Sequence, residues 1–422
     1  MGLMRITKLA LPLAGILVVL HTSCGDPSGP GNQDNGRIAI VNDVAVLAGR
    51  VTYHDDTIPL DSTGVGYPSA PILPSGALGR SSSMSAASFQ LKLKAEVASP
   101  TMFGQTLQAT SVSIVGNLAV VSYNMVGSPY LGGVDVIDIS NQNHPVLVSQ
   151  ALFQSTDVSA VSVSGSNVFV AEATNDTGFA APAVFELMQL QGNQLVLSGN
   201  RRMGLTSFVA TSVAASGTKA YATTGDAGSL FVINPTTFMK TDSVALHDAR
   251  WVAVGGGKVV VVQGTPGQIS VFNESNMAPV GTWSFTGANV AEAKSQAVIV
   301  GGKAFIAAGT GGVQVLSAST GTVVGSVPRP NPDSLGLDSA VVVTNAVAAD
   351  EDLLFISNGE AGVYLAQGSA FFSATGPEVA QTITMRGRLR FGSLQSVNHV
   401  AYQGRYLIIA AGLGGLKIVQ VI

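Results

Sequence analysis

Cysteine is almost absent. Cys24 is the single one in 422 residues, which excludes a disulfide-stapled scaffold. Charge is scarce too, at 11% of the chain where an ordinary soluble domain carries about 25%. Lys and Arg number 21 against 25 Asp and Glu, for a net charge of -4. No basic excess exists to replace counterions on phosphate, so a nucleic-acid partner is excluded. Hydrophobic residues make up 46%, too many for a disordered chain. Heptads of Glu, Lys and Leu are missing, and a coiled coil with them. What the chain has in quantity is glycine, 49 residues of it.

The first segment reads as an address. Arg5 and Lys8 precede an apolar run from Leu9 to Leu20. That run is shorter than the roughly 20 residues of a spanning helix and fits the apolar region of a secretory signal. Thr22 and Ser23 follow, then Cys24. The arrangement resembles a bacterial lipoprotein signal, which implies lipidation of Cys24; a plain secretory signal with a free cysteine is the other reading. The position three before the cysteine, His21, departs from the usual small or apolar residue. Residues 25–36 are rich in Gly, Pro, Asn and Asp and read as a flexible tether.

The body repeats. Short β-rich runs start at Asn117, Asn167, Lys219, Lys258, Lys303, Asp352 and Arg405, roughly 40–50 residues apart. Each is followed by a second run, usually glycine-led: GGVDVIDIS from Gly132, APAVFELMQL from Ala181, GSLFVINPT from Gly228, GQISVFNES from Gly267, GGVQVLSAS from Gly311, AGVYLAQGS from Ala361 and GGLKIVQVI from Gly414. A further apolar strand precedes each pair, and another follows most. Four short strands per unit are the signature of a propeller blade. The pattern predicts an all-β chain, a seven-bladed β-propeller of four-stranded blades. The last unit reaches Ile422 after its third strand. Phe89 to Val97 alternates apolar and polar residues as a half-buried strand does, so it is expected to close the ring beside Leu416 to Val421. The organisation expected is a signal over 1–24, a tether over 25–36, an N-terminal extension and Gly/Pro/Ser-rich linker over 37–87, and the propeller over 88–422. Ile38, Ile40, Val44, Val46, Leu47 and Val51 suggest one or two strands in the extension, either packed on the ring or mobile.

GGVDVIDISNQNHPVLV (Gly132 to Val148), preceded by GNLAVVSY (Gly116 to Tyr123), resembles the LVIVD repeat of bacterial and archaeal surface proteins. AYATTGDAGSLFVINPTT (Ala220 to Thr237) is similar to the related YVTN type. Val184 to Leu190 departs from the Val-Ile-Asp core, which puts the regularity of that blade in question. The resemblance implies an extracytoplasmic β-propeller and brings no catalytic residues.

Motifs for chemistry are sparse. There is no Gly-x-Ser-x-Gly elbow, no phosphate loop and no His-Glu-x-x-His. Gly257-Lys258 and Gly302-Lys303 lack the upstream glycine of a phosphate cradle and read as turns. Hairpin alternation puts the connections between blades and the loops between second and third strands on one face. Asp157, His247, Asp248, Glu292, Asp338 and His399 map there, with Asp157 and Asp248 at equivalent repeat positions expected to point to the axis. Two readings stand. Carboxylates around a channel mouth suit a hard cation such as Ca²⁺; equally, they cap turns as Asp does. The same face carries the longest loops, where binding usually resides.

Two functions follow. One is a lipid-anchored, extracytoplasmic binding scaffold, with a protein or glycan partner on the loop face and contact with the membrane through the anchor. The other is a propeller enzyme, of hydrolase or quinoprotein type, with a metal in the axial channel.

Overall fold

The structure, a computed structural model, describes residues 36–65, 90–141, 143–291, 293–374, 376–391 and 396–422. Cys24, the tether up to residue 35, Phe89 and Glu292 lie outside the described residues.

The seven second strands are mostly apolar along both faces, so each must be covered on both. Val259, Val260, Val261 and Val262 in Lys258–Gln263 are all fully buried. Antiparallel sheets stacked face to face around a ring meet that demand, and the described residues form seven of them. Blades 1 to 6 span residues 108–153, 156–204, 212–245, 249–284, 297–327 and 346–389. Blade 7 takes three strands from 399–421 and its fourth, Leu91–Val97, from near the other end of the chain. The pairing runs from Leu416 opposite Val97 to Val421 opposite Leu91. The chain is therefore a seven-bladed β-propeller with the expected closure. The strand questioned in blade 2 forms but is irregular on one side: Ala183–Gln191 is buried over most of its length and pairs without a shift to the second strand, while its register to the outer strand slips between Leu187 and Gln189.

The first strand of each blade lines the axis, and side chains there stitch neighbouring blades together. Thr110 Oγ1 donates to Val158 O at 3.0 Å, and Thr211 Oγ1 donates to Ala249 O at 2.8 Å. Across the closure, Asn398 Nδ2 donates to Ala109 O at 2.8 Å. Beside these bonds, the turn between second and third strands bridges to the next blade at Gly225–Ala249, Gly309–Thr344, Gly359–Val397 and Gly412–Ala109. Glycine is required at the bridge. At Gly359 φ is +58°, and a Cβ there would lie 2.5 Å from Val341 O. This is one physical reason for the repeated glycines of the sequence.

The N-terminal extension packs on the ring as a belt. Ile38–Val41 adds a fifth strand outside blade 1. Val51–Thr57 does the same for blade 7, and Leu60–Asp61 for blade 6. Of the six apolar residues expected to form strands, Val44, Val46 and Leu47 instead lie in a one-turn helix, Val44–Leu47, capped by Asp43. The belt straddles the closure and shields three outer edges that would otherwise offer unpaired backbone groups. Two arginines hold it. Arg37 donates to both carboxylate oxygens of Glu186 in blade 2, at 2.7 and 2.9 Å. Arg50 grips Asp135 in blade 1 at 3.0 and 2.7 Å. Both carboxylates are fully buried. Glu172 lies beside Glu186, and burial together with the charge of Glu186 raises its carboxyl well above the ordinary value. Among the described residues no helix is long and apolar enough to cross a membrane.

Candidate functional site

Each first strand runs away from the loop face and each second strand returns to it. This places Asp157, His247, Asp248, Asp338 and His399 near one side of the ring. The structure then separates them. Among the described residues no three of His, Cys, Asp and Glu come together in a group able to hold a metal.

Asp157 opens the first strand of blade 2 and turns to blade 1. Its Oδ1 accepts from Leu131 N at 3.1 Å, holding the loop between Asn124 and Leu131. Burial pushes its carboxyl up to about 7, against the lowering by backbone donors. Asp248, at φ +48°, pairs with Arg250 at 2.7 and 2.9 Å. Burial favours the neutral acid, but the Arg250 guanidinium outweighs it and holds the Asp248 carboxyl below its ordinary value. Arg250 is itself buried and donates to Ala288 O and Ala293 O, at 3.1 and 3.2 Å, in the connection to blade 5. So the two equivalent aspartates face neighbouring chain, one a loop and one an arginine, where the repeat offset alone pointed them to the axis. Asp338 is exposed and accepts from Ala340 N at 2.8 Å, an Asx turn. His247 is exposed, its Nδ1 3.1 Å from Asp226 O.

His399 is the residue that reaches the axis. It is buried, at the start of blade 7's first strand. Its ring lies 5.5 Å, centroid to centroid, from that of Trp251 in the first strand of blade 4. Blades 4 and 7 stand across the ring from each other, so this pair meets across the axis. Lys294, ahead of blade 5, spans it as well, with Nζ 3.0 Å from Thr110 O of blade 1. Burial lowers the Lys294 ammonium to about 8. Burial and then the Lys294 charge lower His399 to about 3, so its imidazole is neutral at any ordinary pH. Neither ring nitrogen has a hydrogen-bond partner among the described residues. Trp251 and Lys294 escaped the sequence reading; Trp251 occupies the repeat position equivalent to His399, and that offset was the signal available.

The loop face has two unlike halves. Over blades 3 to 6 it bears Asp226, His247, Asp333 and Asp338, all exposed. Over blades 7, 1 and 2 it bears large apolar side chains. Phe103, Val126, Phe208 and Leu413 are 71, 74, 73 and 66% exposed. The loops that carry them, residues 100–107, 124–131, 205–211 and 411–415, contain no Asp, Glu, Lys, Arg or His. Each apolar tip sits among Gly, Ser, Thr or Pro, a contrast visible in the sequence that was read only as loop.

No family model matches the chain, and no curated protein matches it. Among solved structures it is similar to BamB from Moraxella catarrhalis, at 12% identity and a TM-score of 0.47, over 76% of this chain and 85% of that one. It is also similar to the computationally designed Ika8 protein, at 13% identity and a TM-score of 0.46, over 77% of this chain and 99% of that one.

Proposed function

We propose that this protein is a lipid-anchored, extracytoplasmic interaction scaffold, its blades LVIVD/YVTN-type repeats and its partner a protein or glycan held on the loop face. The observation that carries the reading is where the buried polar groups go. Arg37, Arg50, Asp135, Glu186 and Arg250 bind one segment of the ring to another, and Trp251, His399 and Lys294 occupy the axial channel. Long loops on a rigid frame are left as the surface available for recognition. Asp226, Asp333, Asp338 and Arg390 are charged residues exposed on it.

Two experiments test it. Cys24→Ala should release the protein from the membrane fraction to the soluble one; unchanged partitioning counts against lipidation. A photo-crosslinking residue placed at Asp226 or Asp338 in intact cells should give discrete adducts. The same residue at Met239, exposed at the start of the outer strand of blade 3 on the opposite face, should give none. Adducts from Met239 alone, or from no position, would overturn the scaffold reading.

A further inference from the structure

The apolar half of the loop face has no place in the scaffold reading, and we propose that it rests on a lipid bilayer. The proposal deepens the anchored reading, on which it relies to bring the propeller to a membrane.

Three observations carry it. The first is chemistry. Leu413, Phe103, Val126 and Phe208 protrude from four charge-free loops along one arc of the ring, in order the loop of blade 7, the connection from blade 7 to blade 1, the loop of blade 1 and the connection from blade 2 to blade 3; in the loop of blade 2, between the last two, Asp176 is paired with Arg202 at 2.8 Å. Apolar side chains on uncharged backbone suit the boundary between headgroups and acyl chains, where burial of apolar area drives binding without any basic residue. Each tip stands on its own loop, so together they form separate wedges, which a fluid bilayer accepts. A protein partner would need a matching pocket for each anchor.

The second is preorganisation. Phe103 is held at φ +51° at the tip of the Thr101–Met102 and Gln105–Thr106 hairpin, and Ser207 at φ +87° beside Phe208. The Leu413 loop is tied to blade 1 through the Gly412–Ala109 bridge. The Val126 loop closes on itself from Met125 N to Leu131 O at 2.9 Å and is braced by Asp157. Little ordering entropy remains to be lost on docking.

The third is where the chain enters. Gln154 N, in the connection between blades 1 and 2 on this face, donates to Arg37 O at 3.0 Å. The described chain thus begins, at Gly36, within the arc of apolar tips, and residues 25–36 separate the ring from Cys24. Fully extended they span at most about 40 Å, so an anchor at Cys24 would keep this half of the face close to the bilayer.

The test uses the full chain with single cysteines at Phe103, Val126 or Phe208, and at Met239 on the opposite face, each labelled with the environment-sensitive fluorophore NBD. The protein is mixed with phosphatidylcholine vesicles with and without nitroxide-labelled lipid. NBD at the three tips should brighten several-fold and be quenched by the nitroxide; at Met239 it should stay as in water. Tips that remain in water on vesicle-bound protein overturn docking and leave the anchor standing. Label taken up by the unsubstituted chain locates a free Cys24 and overturns the anchor; docking survives that result if the tips still brighten. Tips that stay dark on vesicles yet resist labelling in intact cells point to a protein cover and overturn the proposal.

Discussion

Replacing Arg50 by Met strands a carboxylate inside the ring. Asp135 is 0% exposed in the third strand of blade 1, and Arg50 supplies it with two charge-assisted bonds, at 3.0 and 2.7 Å. Removal leaves Gln150 Nε2 at 3.3 Å. Arg50 also donates twice to Ala98 O, at 3.0 and 2.6 Å, tying the belt to the end of the closing strand. Breaking a buried ion pair from one side costs about 3–5 kcal/mol, against a total stability of about 5–15 kcal/mol for a typical domain. Methionine retains the packing of the aliphatic stem, so the loss reports the charge together with the two bonds to Ala98 O. The assay is equilibrium unfolding in denaturant, in which the midpoint should fall with an unchanged slope. The double variant Arg50→Met/Asp135→Val removes both charges and should recover most of the loss, since apolar replacement of a buried pair is often neutral. A single variant costing under about 1 kcal/mol would behave like an exposed pair and refute the idea that Arg50 locks the belt. A double variant no better than the single one would assign the loss to the bonds with Ala98 O and to packing, and not to the stranded charge.

Three further outcomes are expected. Asp157 titrates near 7 in the folded protein and near 4 unfolded, so the folded state holds the extra proton in between and stability declines as pH rises through that window; Asp157→Asn should raise the denaturation midpoint at pH 8 and leave it unchanged at pH 4, and an equal gain at both would refute the assignment. Lys294 titrates near 8 when folded and near 10 unfolded, so the wild type should gain stability between pH 8 and 10 and Lys294→Met should not, read from thermal melts across that range. Deleting residues up to Val97 should expose the edge at Leu416–Val421 and cause aggregation, whereas deleting residues 25–36 should leave the melting temperature unchanged; like behaviour of the two would contradict the closure.

Much of the ring was legible because its signal is local. A strand covered on both faces is apolar at most positions, so runs such as Val259 to Val262 announce themselves, and turns that need positive φ place glycine before the third strands. The alternation of Leu91, Leu93, Ala95 and Val97 marked an outer strand with one face to solvent, and its position before the first complete unit identified the partner. The belt could not be read this way. Ile38–Val41, Val51–Thr57 and Leu60–Asp61 are strands because the edges of blades 1, 7 and 6 are there to pair with, and those edges come from distant parts of the chain. For the same reason Arg37 and Arg50 look like ordinary surface residues until Glu186 and Asp135 are brought to them. Repeat offsets put Asp157 and Asp248 on the right face but could not aim their side chains, because a side chain turns to whichever donor lies within reach, Leu131 N of blade 1 for Asp157 and Arg250 of its own blade for Asp248. The sequence by itself determined the blades, their number and the closing strand, through burial patterns carried within a few residues. Only the tertiary structure decided what meets at the axis and what fastens the N-terminal segment, since each depends on contacts between residues distant in the chain, 85 apart for Arg50 and Asp135, 149 for Arg37 and Glu186 and 184 for Lys294 and Thr110.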